Sequence, residues 1–257
     1  MPTASNHPFQ KTLTQPDPDA IVWRFMPITA FLALLQTGQL AFGRADKMND
    51  RWEGAYSDPA LERDHLEPGE EVTPPMTFGG IHHELRQLVN LNCWYVSDTE
   101  SFGMWEVYKH GGQGVGIRTT WKKLTQSIDP YGKCTIFAGR VEYVDYLKSR
   151  TRGRHLTSPF FYKRPPFKSE QEARLVVGAA KFSETHDSSE NGTYNEVLEL
   201  APVPLKVDVD LRNLVDEVIV APDSGAWVLN VIQRCLTLED LRWEVRPSSL
   251  DAELWRA

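Results

Sequence analysis

Short strand-like runs, separated by short and irregular helical patterns, constrain the fold of this chain more than any other feature. The first run, residues 20–26 (A-I-V-W-R-F-M), alternates its side chains between two faces and is rich in β-branched and aromatic residues. Similar runs recur at 91–97, 114–119, 173–177 and 216–221. The helical patterns between them do not alternate regularly with the strands, as they would in a parallel α/β fold. The sequence therefore predicts an α+β fold, in which short helices are inserted around an antiparallel or mixed β-sheet.

Length and composition favour one folded domain. The chain has 257 residues, of which 41% are hydrophobic, and can bury a full core. Its first residues are rich in Pro, Thr, Gln and Asp and contain no apolar stretch of signal-peptide length. We predict a disordered lead at 1–18 and a single α+β domain at 19–257.

Charge, cysteine and hydropathy patterns argue against several classes of function. The net charge of −7 argues against an affinity that depends mainly on nucleic-acid phosphates. The three cysteines are far apart without a C-x-x-C motif, and no H-E-x-x-H motif occurs, so neither a disulfide framework nor a metal site is predicted. No apolar run approaches the length of a membrane span, so no membrane partner is predicted, and a reducing cytoplasm fits best.

Two glutamates stand one residue apart in the segment 167–177 (F-K-S-E-Q-E-A-R-L-V-V). If the segment is a strand, Glu170, Glu172 and Arg174 share one face, and the two carboxylates lie about 7 Å apart by strand rise. A carboxylate pair suits a reaction through an oxocarbenium-like sugar cation, which predicts a glycosidic bond as substrate. The alternative is a surface ion pair between Glu172 and Arg174 on a solvated strand face.

Three further polar residues are candidate site residues. One lies inside an apolar strand, and the other two lie at the end of another strand. Arg24 is the one charge in its strand and needs either an anionic ligand or an internal carboxylate as partner. Ser97 and Thr99 belong to the letters Y-V-S-D-T, at the C-terminal end of the run 91–97. There their hydroxyls can orient a carboxylate or a ribose. The alternative for these two residues is an ordinary turn or helix cap.

The order of these elements resembles that of mono-ADP-ribosyltransferases, which carry an Arg, a Ser-Thr-Ser and a Glu-x-Glu motif. In this chain Asp98 stands at the middle of the second motif. The resemblance implies an ADP-ribosyltransferase-like fold, with NAD as co-substrate held by Arg24. It also implies that Ser97 supports the catalytic Glu172, which stabilises the ribosyl cation, and that Glu170 engages the acceptor.

A second resemblance extends over nearly the whole chain. Successive blocks are similar to those of a widespread bacterial family catalogued as a domain of unknown function. That family usually has F-N-D-P-x-E where this chain has M-N-D-R-W-E at 48–53. The resemblance indicates that these blocks are important, but it implies no particular reaction for this chain. The blocks are W-R-F, L-L-Q-T-G-Q-L-A-F, M-N-D-R-W-E, G-M-W-E-V-Y, G-V-G-I and F-K-S-E-Q-E-A-R-L.

The loop containing Asn49 and the helix with Trp105 and Tyr108 are candidate walls for nicotinamide or adenine, because aromatic faces stack on bases. The alternatives are core packing of the helix and an Asx turn in the loop.

The leading hypothesis is an NAD-dependent ADP-ribosyltransferase-like enzyme that modifies a macromolecular acceptor, either protein or nucleic acid. An NAD glycohydrolase is the near alternative, with water in place of the acceptor. The alternative from another class is a non-catalytic binding module of a toxin or phage-defence system. Such a module would dock nucleic acid or an acidic protein through the basic run 148–155 (K-S-R-T-R-G-R-H).

Overall fold

The structure is a computed structural model and describes residues 7–56, 78–108, 113–128, 135–149, 151, 155–178 and 202–251. Its strands are β1 (Ile21–Pro27), β2 (Gln39–Arg44), β3 (Val89–Val96), β4 (Gly114–Thr120), β5 (Ile136–Arg140), β6 (Glu142–Tyr143), β7 (Tyr162–Lys163), β8 (Glu172–Gly178), β9 (Leu205–Asp208), β10 (Glu217–Val220) and β11 (Glu244–Pro247). Its α-helices are α1 (Pro8–Thr12), α2 (Ile28–Thr37), α3 (Phe78–Leu88), α4 (Phe102–Tyr108), α5 (Trp121–Ser127), α6 (Leu211–Leu214) and α7 (Ala226–Leu238). Short 3₁₀ turns lie at Ala45–Lys47, Ser158–Phe161, Pro165–Glu170 and Ser249–Asp251.

Nine of these strands form one mixed sheet. Its main path runs β11-β10-β4-β1-β3-β2-β9, and β8 joins β3 to β5. The β10–β11 pair is parallel and the other pairs of this sheet are antiparallel, while β6 and β7 form a separate small sheet. The predicted α+β class, with a mixed sheet and short inserted helices, is confirmed. No helix within the described ranges is both long and apolar enough to cross a membrane.

Two strands share one edge of β3, and the sheet forks between them. The opposite edge of β3 is occupied by β8. On the shared edge, β1 pairs only with Tyr95 and Val96, whereas β2 pairs only with Asn90 and Leu91. The middle of this edge, at 92–94, has no strand partner in the part of the chain that the structure describes. The fork therefore leaves a gap in the main-chain ladder beside β3.

Both faces of the central strands are buried. The largest apolar cluster covers one face and includes Val22, Trp94 and Leu175. The opposite face carries a smaller cluster around Trp23 and Trp105, in addition to a third cluster that packs near β5. A strand with two buried faces can hold a charged side chain only if that charge has partners. Charged residues in β1 and β8 are therefore expected to be paired or to bind ligands.

A glycine in β4 lets helix α4 pack closely on the sheet. A Cβ atom at Gly116 would lie 3.0 Å from the ring of Trp105, which is closer than ordinary contact. Trp105 also meets Phe25 edge to face, with 4.6 Å between the ring centroids. Glycine within a strand commonly marks such a close approach. Helix α4 is thereby fixed over the paired strands β1 and β4.

The residues just before β1 pack against the sheet. Helix α1 lies within the segment 1–18 that the sequence analysis assigns to a disordered lead, and its Phe9 is buried. The side chains of Gln10 and Gln15 both donate to the carbonyl of Ala138, and Gln10 also accepts from the Ala138 amide. From residue 7 onward this segment is therefore part of the folded unit, bound at the edge strand β5.

Candidate active site

Glu172 begins strand β8 and lies inside the protein. Its Cα is paired with that of Tyr95 on β3, and the residue is 4% exposed. Ala173, Leu175 and Val177 alternate with it and pack into the large apolar cluster, as the sequence pattern predicts. The alternative of a solvated strand face around Glu172 is wrong, because β8 is buried on both faces.

Two cations hold the carboxylate of Glu172. Lys163 Nζ donates to its Oε1 at 2.6 Å, and Arg174 Nε donates to its Oε2 at 2.6 Å. The other side of Arg174 donates to both carboxylate oxygens of Glu53, at 2.5 and 3.0 Å, and to the carbonyl of Phe160 at 2.7 Å. An ion pair between Glu172 and Arg174 therefore does form, but in the interior and as part of a larger cluster.

Glu170 reaches the same cluster from outside the strand. It ends the 3₁₀ turn Pro165–Glu170, and Gln171 then adopts a left-handed conformation with φ of 38°. The prediction that Glu170 and Glu172 lie on one strand face is wrong, because this reversal interrupts the alternation. Lys163 nevertheless joins the two acids, since its ammonium group contacts the carboxylates of both. The side chain of Glu170 remains 33% exposed, so it faces the rim.

The two acids have opposite pKa shifts. Burial raises the pKa of Glu170 to about 7, and its contact with Glu172 adds to this effect. Burial also opposes ionisation of Glu172, but the charges of Arg174 and Lys163 hold its pKa well below the usual range. With Glu53, the cluster holds three carboxyl groups and two cations. It therefore carries a surplus negative charge only when Glu170 is ionised.

The loop after β2 places Glu53 inside this cluster. Asp50 accepts a hydrogen bond from the amide of Trp52 at 3.0 Å, and the Glu53 amide donates to the Asp50 carbonyl at 3.1 Å. The next residue, Gly54, has φ of 73° and packs directly against Phe160, where a side chain would collide. Asp50 is buried and pairs with Arg164 at 2.5 Å. Glu53, Lys163, Arg164 and Arg174 were not among the predicted site residues.

A column of alternating rings and cations connects this loop to the acid pair. Arg164 lies 5.3 Å from the ring centroids of both Trp52 and Phe167. Lys163 Nζ lies 4.6 Å from the ring of Phe167 and contacts both glutamates. Cation–π contacts of this kind fix the position of a flexible lysine. Because Trp52 is 42% exposed, the column runs from the surface to the buried carboxylates.

Arg24 lies at the fork of the sheet, and no acidic residue among those described pairs with it. Its guanidinium donates to the carbonyl of Cys93 at 2.8 Å and to that of Ala41 at 3.3 Å, and it lies 6.0 Å from the Trp94 ring. Of the two partners expected for Arg24, an internal carboxylate is not found among the described residues. Burial lowers the pKa of Arg24, because the cation is desolvated without a compensating anion.

The charges at both the fork and the acid pair act on the phenol group of Tyr108. Burial raises its pKa to about 12, the charges of Glu172 and Glu170 act in the same direction, and the charge of Arg24 opposes them. Trp105, in contrast, is completely buried and donates to the carboxylate of Glu100 at 3.1 Å. Trp105 therefore packs in the core, which was the alternative to a wall for nicotinamide or adenine. Tyr108, in contrast, is only partly buried.

The remaining predicted residues lie at the rim. The Ser97 hydroxyl accepts from the amide of Thr99 at 3.2 Å, which is the turn that the sequence analysis left open as an alternative. Neither of these two side chains has a hydrogen bond to Glu172 among the described residues. Asn49 is exposed, and Asp50 rather than Asn49 forms the Asx turn. The basic run at 148–155 lies partly outside the described residues, at 150 and 152–154.

Within the described ranges, no group of three or more His, Cys, Asp or Glu side chains is arranged to hold a metal ion.

Comparisons with known proteins give weak structural similarities. No family model matches the chain, and no curated protein matches it. Among solved structures, the chain is similar to DarT of Thermus sp. 2.9 in complex with ADP-ribosylated ssDNA, at 12% identity and a TM-score of 0.40, over 93% of this chain and 99% of that chain. The same DarT in complex with NAD+ gives 11% identity and a TM-score of 0.41, over 93% and 100% of the two chains. These similarities are too slight to place the chain in a family.

Proposed function

We propose that this protein is an NAD-dependent ADP-ribosyltransferase-like enzyme that modifies a macromolecular acceptor. The observation that carries the proposal is the acid pair, in which Glu172 stays ionised while the pKa of Glu170 is raised to about 7. Two carboxyl groups with separated pKa values are the arrangement by which one site stabilises a sugar cation and moves a proton at neutral pH. The resemblance of the Arg, Ser-x-Thr and Glu-x-Glu order agrees with this choice of substrate.

Glu172 stabilises the positive charge that develops as the bond between ribose and nicotinamide breaks. Lys163 and Arg174 keep this carboxylate ionised and fix its orientation, so that no reorganisation is needed during the reaction. These two cations also neutralise much of the negative charge of Glu172. The additional negative charge of ionised Glu170 therefore becomes important for stabilising the ribosyl cation. The electrostatic support for the ribosyl cation is therefore expected to grow as Glu170 loses its proton.

Arg24 binds the pyrophosphate of NAD. Arg24 is half-buried, and among the described residues its side chain donates to main-chain carbonyls; burying a cation without an anion is expensive, and a phosphate would supply that anion. Tyr108 lies within electrostatic reach of Arg24 and of both glutamates, and offers an aromatic face for the nicotinamide ring. Ser97, Thr99 and Asn49 remain candidates for contacts at the rim, and Trp105 supports the wall from below.

Glu170 activates the acceptor. Its carboxyl group is partly exposed and titrates near neutrality, so it can take a proton from an incoming nucleophile. If water takes the place of the acceptor, the same site acts as an NAD glycohydrolase. The two outcomes differ in the fate of the ADP-ribose group, which either becomes attached to a macromolecule or is released.

The decisive experiment measures nicotinamide release from NAD by the purified chain. Glu172→Gln should reduce the rate by about a hundredfold or more, as expected for loss of an oriented carboxylate. Glu172→Asp keeps the charge but withdraws it by one methylene group, and should give an intermediate rate. NAD labelled in the adenylate half then shows whether label is transferred to macromolecules in a cell extract or released as free ADP-ribose.

Glu53→Gln is the matched control, because it removes a carboxylate from Arg174 on the side away from Glu172. Both variants are assayed at a temperature where circular dichroism shows each to be folded. Equal losses in Glu53→Gln and Glu172→Gln would mean that the cluster is only structural. Absence of nicotinamide release by the wild-type chain, together with no thermal shift in the presence of NAD, would contradict the proposal.

A further inference from the structure

A row of paired residues crosses four strands on the face that carries Glu172. Tyr95 is paired with Glu172 between β3 and β8, and Trp23 is paired with Tyr95 between β1 and β3. Arg118 on β4 is in turn paired with Trp23. Directly paired residues in antiparallel strands project to the same face. With adjacent strands about 4.8 Å apart, the backbone of Arg118 lies about 14 Å from that of Glu172, at the same end of the sheet.

A pocket of about 390 Å³ opens at the Arg118 end of this row. We call it the Arg118 pocket; it is lined by Trp23, Asp98, Thr99, Glu100, Arg118, Glu217, Arg246 and Ser249. Its volume is within the range of small-molecule sites. Thr99, one of the residues proposed to contact the cofactor, belongs to this wall rather than to the contacts of Glu172.

Most charges in the Arg118 pocket are already satisfied. Arg246 donates to both carboxylate oxygens of Glu217, at 2.5 and 3.3 Å. Glu100 accepts from Arg246, from the hydroxyls of Ser248 and Ser249 and from the Ser249 amide. These groups therefore satisfy one another's hydrogen bonds and have little remaining capacity to donate to a ligand.

Arg118 is the exception. Its guanidinium carbon lies 5.9 Å from the Trp23 ring, and its nearest carboxylate atom, on Glu217, is 4.0 Å away. Its side chain is 34% exposed and makes no hydrogen bond in the part of the chain described. Asp98, the remaining acid, is exposed at the rim, where solvent screens it. An arginine that lies beside an aromatic ring and makes no hydrogen bond to the described residues keeps its N–H groups available for a pair of oxygen atoms.

We propose that the Arg118 pocket binds a phosphate group of the substrate, with Arg118 as the donor and Thr99 as an additional hydroxyl contact. The inference rests on the proposed function for the identity of the substrate that carries the phosphate. That phosphate belongs either to NAD itself or to the acceptor. The fork at Arg24 and the Arg118 pocket are then two anion sites on either side of the strand that carries Trp23.

The test compares binding of AMP and adenosine by isothermal titration calorimetry, since the two probes differ only in the phosphate. The wild-type chain should bind AMP at least about tenfold more tightly than adenosine. In the Arg24→Gln background, where the other proposed anion site is removed, Arg118→Gln should abolish this advantage, and Arg118→Lys should retain part of it, because lysine keeps the charge but not the fork of donors. Arg24→Gln should leave the contribution of Arg118 in place, and Arg212→Gln serves as the control for loss of an exposed arginine outside the pocket.

Two results would overturn the inference: equal affinity of the wild-type chain for AMP and adenosine, or, in the Arg24→Gln background, an AMP affinity that changes less than twofold on Arg118→Gln. Competition identifies the source of the phosphate. If NAD displaces AMP from the Arg24→Gln variant, the phosphate is that of NAD; if both bind together, it belongs to the acceptor. The two proposals fail separately, because binding of AMP and adenosine is measured without any nicotinamide release, and a failure to release nicotinamide from NAD would leave the AMP result unchanged.

Discussion

Glu170 and Glu172 share the ammonium group of Lys163, although only Glu172 belongs to the strand. This arrangement places a carboxyl group that titrates near neutrality beside one that stays ionised. The charge of the whole cluster then depends on one proton, that of Glu170. Both the reaction and the stability of the fold should therefore respond to pH in the neutral range.

Nicotinamide release should rise with pH through about 7 and then level off, because ionised Glu170 supplies the surplus negative charge. In Glu170→Gln this transition should disappear, and the rate should stay at the low-pH level of the wild-type chain. A pH–rate profile from pH 5 to 9 measures both. A transition near 7 that persists in the variant would assign it to another group.

The same proton affects stability in the opposite direction. A carboxyl group with a raised pKa in the folded state contributes stability that is fully present below its unfolded pKa of about 4.3 and is lost as pH rises through about 7. The free energy of unfolding should fall over this window by about 1 kcal/mol, since the 33% exposure of the side chain screens the effect. Urea denaturation at pH 5 and pH 8 should show a smaller fall in Glu170→Gln.

Removing either carboxylate from Arg174 should destabilise the fold. Arg174 is 1% exposed, and Glu172→Gln or Glu53→Gln leaves this cation with one anionic partner instead of two. Breaking a buried pair from one side typically costs about 3 kcal/mol. Chemical denaturation measures the loss, and the exposed Glu244→Gln should change stability by no more than about 0.5 kcal/mol. A Glu172→Gln variant as stable as wild type would show that the cluster is open to water.

Gly54→Ala should disturb the loop that delivers Glu53. A methyl group would collide with the Phe160 ring, and φ of 73° is unfavourable for alanine, so a loss of about 2 kcal/mol or more is expected. Gly103→Ala is the matched control, because its Cβ would meet nothing closer than 3.8 Å and helix α4 favours alanine. Thermal denaturation compares the two; equal stability of both variants would contradict the steric argument.

The alternation of side chains was enough to predict the sheet. The apolar positions Ala173, Leu175 and Val177 mark the core face of β8, and the irregular spacing of helices indicates an α+β fold rather than a parallel one. The same pattern singles out Glu172 as a candidate site residue, because this acid stands beside the apolar positions. What the pattern does not reveal is that the opposite face of β8 is buried too, since burial on that face depends on other segments.

The further partners of Glu172 and Arg174, apart from each other, are not visible in the sequence for two physical reasons. Glu53 is 121 positions from Arg174, and a single sequence carries no signal for a pairing at that separation. The left-handed conformation of Gln171 brings Glu170 off the strand, although glutamine has no preference for such a conformation. The block M-N-D-R-W-E was the available signal, because it contains both Asp50 and Glu53, but their roles require the fold.

The gap beside β3 is spanned by side chains, since Arg24 and Asn92 both donate to the carbonyl of Ala41. A main-chain ladder fixes the distance between its strands, whereas a single side-chain bridge can release one acceptor and take another at small net cost. A ligand that binds at this gap would therefore not require any strand to leave the sheet. Arg24, which bridges the gap, would be the first group to contact an anion there.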